Sequence, residues 1–238
     1  MLAERGRALH HRLAARRVRR LKQRLIDIAC SRHGVRSIAD CGGVWNVDGA
    51  YTFHALENWP IDRAVLVDTD VGEEVRRRAA GRPQLELVEG NFGAPDVVER
   101  IGTVDAVLFY DVLLHQVDPD WDEVLERYGS RARCLLVFNQ QWVGSEETVR
   151  LLELGTEEYL RAVPDTRFHA DVVHHLDEIS PDHGRPYRDV HNIWQWGITD
   201  PDLLAKTAEL GFSVEYKKDA GPYPELASFR NRAFLFVR

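Results

Sequence analysis

The residue types that bind ligands and move protons stand at the ends of apolar runs in this chain. The run SIADC leads straight into Gly42 and Gly43. A glycine pair lets the backbone turn tightly and approach a ligand closely. Asp40, just before it, stands where a carboxylate accepts from a ligand ammonium or orders the loop. The next apolar run, AVLVD, ends in Asp68. An acidic residue at a strand tip, about 20–30 residues after a glycine turn, suits hydrogen bonds to both hydroxyls of a ribose. The competing structural role for Asp68 is to cap a helix starting near Asp70.

These residues need a scaffold that brings strand ends to one edge. Short apolar runs alternate with helical stretches: SIADC, AVLVD, LELVEG, VDAVLFY and RCLLVFN read as strands. YTFHALENW, VGEEVRRRAAG, APDVVERIG and DWDEVLERYG read as the helices between them. Apolar strands alternating with amphipathic helices imply a mostly parallel sheet covered on both faces. Right-handed crossovers put the strand C-termini on one edge. Residues 144–162 read as a further helix, with Gly155 a weak point, and 163–197 as an irregular stretch rich in His, Pro, Asp and Trp. The alternation resumes at TDPDLLAKTAELG, with Thr199 as N-cap and Gly211 as C-cap. Two closing strands, FSVEYKKDA and RAFLFVR, make seven strands in all. The expected organisation is a basic N-terminal helix over 1–34 and one domain over 35–238. A lid inserted at about 144–197 stands where insertions into such sheets usually serve function.

The chain has 238 residues, 44% hydrophobic and 29% charged, as expected of a globular protein. No apolar run approaches the roughly 18–20 residues of a membrane span, and the Arg-rich N-terminus lacks the apolar core of a secretory signal. These features predict a cytoplasmic protein. Cys30, Cys41 and Cys134 are too few and too widely spaced for a zinc or disulfide framework, and read as reduced thiols. Residues 1–36 carry eleven Lys and Arg against Glu4 and Asp27, a net +9, which leaves −16 on the rest of a chain of net charge −7. Such an arm suits nucleic acid or an acidic partner. It equally suits a helix lying on the protein's own acidic flank, and Leu9, Leu13, Val18, Leu21, Leu25 and Ile28 give it one apolar stripe.

In order and spacing, the motifs resemble those of the class I S-adenosylmethionine (SAM)-dependent methyltransferases. Asp40, Gly42 and Gly43 match the first motif of that family, and Asp68, Thr69 and Asp70 the second. Gly90, Asn91 and Phe92 match its third, which holds adenine: the polar residue reaches the exocyclic amine and the apolar one covers the ring. VDAVLFYDVLLHQVDP, containing Tyr110, matches its fourth. The resemblance covers residues 36–143 and 198–238. It implies an α/β Rossmann-like fold with a seven-stranded, mostly parallel sheet, an antiparallel last strand and helices on both faces. SAM is the cofactor implied, with S-adenosylhomocysteine (SAH) as product. The sequence departs from the family at Val44 and Trp45, where a further glycine is usual, which places Trp45, Asp48 and Tyr51 near the methionine end. The G-x-G-x-x-G pattern of nicotinamide enzymes is absent.

Methyl transfer is an in-line displacement that needs a nucleophile held about 3–3.5 Å from the methyl carbon. A hydroxyl acceptor also needs a base. His115, just past the fourth strand, is the leading candidate, with pocket lining as its alternative role. Asp111 is the second, as base, His-orienting group or metal ligand, with a turn cap as its alternative. Asn139, Gln140, Gln141 and Trp142 follow the fifth strand and suit a polyhydroxylated or aromatic acceptor. The insertion adds His169, His174, His175, His183, Tyr187, His191, Trp194 and Trp196, either as a substrate wall, chiefly through His174 and Trp194, or as core packing. No tight metal-ligand spacing occurs among them, so a divalent metal is possible but not expected. The expected activity is O-methylation of a small molecule, with a carbohydrate or glycoside favoured, by a monomer or homodimer. An RNA methyltransferase using the basic arm and a non-catalytic SAM-binding protein are the alternatives.

Overall fold

The computed structural model describes residues 2–238 except 165, 182, 183, 191, 192 and 225; side chains are described from residue 15 onward, with 167 and 168 also excepted. His183 and His191, and the side chains of Leu9 and Leu13, therefore lie outside the described residues.

A long helix, α1 (Leu2–His33), comes first. Its stripe of Leu21, Leu25 and Ile28 is buried together with Ile26, Ala29 and Cys30, while Arg16, Arg17, Arg19, Arg20 and Arg24 are exposed. The arm thus packs on the body. Gly34, at φ +60°, stops the helix and donates to the Cys30 carbonyl at 3.1 Å, the left-handed cap that glycine adopts without strain. There follow β1 (Ser37–Cys41), α2 (Ala50–Asn58), β2 (Arg63–Asp68), α3 (Glu73–Ala79), β3 (Leu85–Glu89), α4 (Pro95–Ile101), β4 (Ala106–Tyr110), α5 (Trp121–Gly129) and β5 (Cys134–Trp142). After β5 come β6 (Val149–Arg150), α6 (Thr156–Ala162), α7 (Arg167–Val172), β7 (Trp196–Gly197), α8 (Asp200–Glu209), β8 (Ser213–Tyr223) and β9 (Leu226–Val237).

The main sheet has seven strands in the order β3-β2-β1-β4-β5-β9-β8. β1 to β5 are parallel, and β9 runs antiparallel to both β5 and β8. Alternate residues feed two cores. Val65, Val107 and Leu135 pack with Val98 of α4, Leu125 of α5 and Leu203 of α8. Ile38, Leu108 and Leu136 pack with Leu25 of α1 and Ala55 of α2. Each fully buried large aliphatic side chain stabilises the fold by about 1.5–3 kcal/mol, so the sheet is held from both faces.

Strand order reverses between β1 and β4, the position where open α/β sheets bind ligands. Register sets the level of the tips. Cys41 pairs with Val67 on one side and Phe109 on the other, so Gly42, Asp68 and Tyr110 leave the sheet side by side.

The insertion differs from the expected helix over 144–162. Val149–Arg150 form β6 and pair antiparallel with β7, and Leu151–Leu154 make one 3₁₀ turn. Gly155, at φ +88°, breaks the chain direction, and only Thr156–Ala162 are α-helical. A partner strand 47 residues away in sequence, which helical periodicity cannot report, takes the backbone hydrogen bonds of β6. Leu151 and Tyr159 then bury against Trp194 and Phe229. At α8 the expected caps are present: Thr199 Oγ1 accepts from the Asp202 N–H, and Gly211 has φ +84°.

Candidate active site

A cavity of about 810 Å³ opens at the strand tips, within the range of about 300–1,000 Å³ usual for small-molecule sites. The β1 turn supplies Asp40, Gly42 and Gly43, the β2 tip Asp68 and Thr69, and the turn after β3 Asn91 and Phe92. β4 and the 3₁₀ turn beyond it supply Tyr110, Asp111, Val112, His115 and Gln116. Lys22 enters from α1, and Arg185 and Val190 from the insertion.

The β1–β3 end is built largely from backbone. A Cβ on Gly43 would lie 2.5 Å from Asp40 Cγ and 2.6 Å from Leu66 Cδ1, and one on Gly42, at φ +71°, 2.6 Å from Val112 Cγ1. Only glycine lets this turn fold so closely over the strand. Asp68 Oδ2 accepts from the backbone N–H of Val44 at 2.8 Å and of Trp45 at 3.1 Å, and its Oδ1 from the N–H of Thr69 at 2.8 Å. Its carboxylate therefore ties the tip of β2 to the glycine turn while still lining the cavity. Asp40 is buried and accepts from Thr52 Oγ1 at 2.7 Å. Burial pushes its carboxyl up to about 6, against the hydrogen bonds from Thr52 that favour the ion. Asn91 Oδ1 accepts from the Gly93 N–H at 2.8 Å, closing a tight turn that presents Phe92 to the cavity. Trp45 is 77% exposed at the rim; its neighbour Val44, where a further glycine is usual, instead packs against Leu66 and Val75.

The other end is built from side chains brought together over long sequence distances. His115 Nδ1 donates to the Ile193 carbonyl at 2.7 Å, which leaves Nε2 as the lone-pair nitrogen. Burial holds this imidazole below the ordinary histidine value, so the neutral form prevails. The group that orients it is thus a backbone carbonyl and not Asp111. Asp111 sits at φ +59°, its N–H donating to the Phe138 carbonyl at 2.7 Å. Its carboxylate accepts from Lys22 Nζ and, at 2.7 Å, from Gln140 Nε2.

Lys22 is the residue that the sequence hid. It is 3% exposed and lies over the rings of Phe138, Tyr51 and Tyr110, 4.8–5.7 Å from their centroids. Burial alone would lower its pKa; the charge of Asp111, with hydrogen bonding to Asp111 and Tyr51, outweighs that and raises it. Tyr110 donates to the Lys22 carbonyl at 2.9 Å, locking α1 to the tip of β4. Lys22 lies only one residue from the apolar stripe of α1, and that was the signal available.

Of the residues expected at the site, Asp40, Gly42, Gly43, Asp68, Thr69, Asn91, Phe92, Tyr110, Asp111 and His115 line the cavity together. Asn139, Gln140, Trp142, His174 and Trp194 are not among its lining residues. Asn139 is buried in β5 and donates to Gln141 Oε1 at 2.7 Å. Gln140 reaches the site only through Asp111. Trp142 donates to Ser145 Oγ and packs on Phe229, and Trp194 packs edge-on against His115, Tyr223 and Phe229. His174 is exposed on the insertion. Among the described residues, no group of three His, Cys, Asp or Glu side chains is disposed to hold a metal ion, and no helix is long and apolar enough to cross a membrane.

No protein-family profile matches the chain, and no curated protein matches it by sequence. Solved structures do match its fold. Mitomycin 7-O-methyltransferase MmcR aligns over 93% of this chain with a TM-score of 0.52 and 19% identity; this chain spans only 53% of MmcR. The 1,6-didemethyltoxoflavin-N1-methyltransferase of Burkholderia thailandensis, solved with its substrate and SAH, aligns over 92% of this chain and 78% of its own, at TM-score 0.57 and 14% identity. The N-terminal domain of EvdMO1 with SAH bound aligns over 92% and 80%, at TM-score 0.55 and 16% identity; that domain has also been solved in the presence of SAH and D-fucose. The chain has the class I methyltransferase fold. At these identities the likeness is one of architecture, and the chemistry must be argued from this chain's own residues.

Proposed function

We propose that this protein is a SAM-dependent methyltransferase that acts on a hydroxyl of a small molecule, with a carbohydrate or glycoside as the favoured acceptor. The observation that carries this reading is the placing of a neutral His115, with Nε2 as its free nitrogen, in the same cavity as the glycine turn and Asp68. The cradle fits a nucleoside cofactor: Gly42 and Gly43 clear the backbone, Asp68 lines the strand tip, and Asn91 and Phe92 supply a polar and an apolar contact for a purine. Buried Asp40 suits a ligand ammonium, which would favour its ionised form. When bound, SAM supplies an electrophilic methyl carbon on a sulfonium. His115 Nε2 would take the proton of the acceptor hydroxyl. Lys22 and Asp111 hold α1 over the cavity and keep the positive charge of the lysine neutralised there. The structure of a fold relative solved in the presence of SAH and D-fucose lends the carbohydrate preference its support.

A second reading, that the acceptor is RNA, draws on a basic groove of about 400 Å³ between α1 and β8 lined by Arg17, Arg20, Arg24 and Lys218. Tight RNA binding with a steep salt slope, lost when these residues are neutralised, would favour it.

The deciding experiment is calorimetric titration with SAM and SAH on wild type and Asp68→Ala. Micromolar binding weakened about ten-fold or more by the substitution, a loss of about 1.4 kcal/mol or more, is the expected result. Absence of binding in the wild type would overturn the reading. Binding without turnover across sugars, glycosides and phenols would indicate a SAM-binding protein with no transferase activity.

A further inference from the structure

The charges around the cavity do not balance at its insertion end. Asp68 is satisfied by three backbone N–H groups, Asp111 is paired with Lys22, and Asp40 accepts from Thr52. Arg185 also lines this cavity. Among the described residues, the one hydrogen bond of its side chain is a long one, 3.4 Å to the Asp189 carbonyl, and it has no carboxylate partner. Among the described acids of this segment, Asp189 pairs with Arg150, Asp177 with Arg188, and Glu178 with His175. The backbone of Arg185 is pinned, since its carbonyl accepts from the Ser180 N–H at 2.8 Å and Ile179 bridges to Pro186. A guanidinium held at a cavity with no counter-ion among the described residues is a ready receptor for an anionic oxygen group.

A second observation points to the same ligand. Gln116, 4% exposed, lines the cavity, and its Oε1 is buried with no donor among the described residues. Its Nε2 is spent on the Val112 carbonyl at 3.2 Å. A buried acceptor left unpaired costs free energy that a ligand donor recovers. Gln116 follows His115 in sequence, and Arg185 stands beside Val190 on the segment whose Ile193 carbonyl orients His115. All three line the cavity that Asp68 and Asn91 also line, and we assign them to the end that takes the acceptor.

We infer that the methyl acceptor is an anion, a small molecule whose carboxylate or phosphate is bound by Arg185 while one of its O–H or N–H groups donates to Gln116 Oε1. This deepens the methyltransferase reading and rests on it. It narrows the carbohydrate preference to sugar acids or sugar phosphates and extends it to other hydroxy acids.

The test is calorimetry on SAH-saturated protein with three ligands that share a ring: benzoate, phenyl phosphate and benzyl alcohol. Wild type is expected to bind at least one of the two anions about ten-fold or more tightly than the alcohol. Arg185→Ala is expected to abolish that difference without changing SAH affinity or melting temperature, and Arg185→Lys to restore part of it. The tighter of the two anions identifies the group as carboxylate or phosphate. Equal or undetectable binding of all three overturns the inference, as does a uniform weakening by Arg185→Ala. Weakened SAH binding with unchanged anion binding overturns it too, because the guanidinium then serves the cofactor's own carboxylate. If SAH fails to bind wild type, the methyltransferase reading falls separately, and the same titrations without SAH still decide whether Arg185 holds an anion.

Discussion

The two ends of the cavity are made in different ways. At the β1–β3 end, the contacts are backbone N–H groups, glycines, the carboxylates of Asp40 and Asp68 and the Asn91–Phe92 turn, and Asp68 ties two adjacent strands through the residues next to it in space. At the β4 and insertion end, His115 is oriented by Ile193, and Asp111 by Lys22 and Gln140, across sequence separations of 78, 89 and 29 residues. The first end is a property of the fold and suits a ligand shared by many proteins of that architecture. The second depends on side chains from α1, β5 and the insertion, and it is the end to which the proposed function assigns the acceptor.

That contrast makes predictions of decreasing size. His115→Ala is expected to lower kcat by about 10²–10⁴-fold with SAH affinity retained, because the proposed base stands at one end and the proposed cofactor cradle at the other. The acid limb of kcat/KM in wild type should fall below pH 6.5, since burial holds His115 down and the base must be neutral to act. Loss of SAH binding in His115→Ala would break the division between the two ends.

Asp40 probes the opposite end through pH. Its folded carboxyl is raised from 3.8 to about 6, so its favourable contribution is complete below about pH 4 and is lost as pH rises through 6. The shift corresponds to about 3 kcal/mol. Thermal melts of the ligand-free protein should therefore show wild type losing stability relative to Asp40→Asn between pH 4 and 7, by an amount of this order. SAH should restore more stability at pH 7 than at pH 5 if its ammonium meets the ionised carboxylate.

Lys22→Met comes next. It leaves Asp111 without its ion-pair partner, and because the Asp111 side chain is 38% exposed the cost is screened to about 1–3 kcal/mol. Denaturant titration should register that loss, and the double variant with Asp111→Asn, whose side chain is neutral and tolerates the positive φ of this position, should recover most of it. His174→Ala should be the smallest, within about 0.5 kcal/mol and with kcat/KM unchanged, because the side chain is exposed away from the cavity lining. A large effect would move the acceptor end outward along the insertion.

How much of this was legible in the sequence follows the same division. The apolar runs SIADC and AVLVD are strands almost to the residue, and the glycine pair, Asp68 and Asn91–Phe92 come out at one edge. Local pattern suffices there because a parallel strand buried on both faces must be continuously apolar, and its first polar residue marks the tip. Lys22 read as one more charge on a basic arm, since helical spacing fixes a face only to within a residue and its partner lies 89 positions on. Trp142 and Trp194 read as a stacking surface for an acceptor, but lie in a core cluster instead. An indole suits either role, and only the packing of Phe229 between them decides it.

By itself the sequence determined the alternation of strands and helices, the caps at Gly34 and Thr199, and the chemistry at the tips of the first three strands. Each of these depends on residues near one another along the chain. Tertiary structure alone decided that the basic helix sends a lysine into the cavity, that a backbone carbonyl fixes the tautomer of His115, and that the insertion brings Arg185 to the cavity. These outcomes rest on contacts between distant segments, whose free energy depends on burial and geometry that no local pattern encodes.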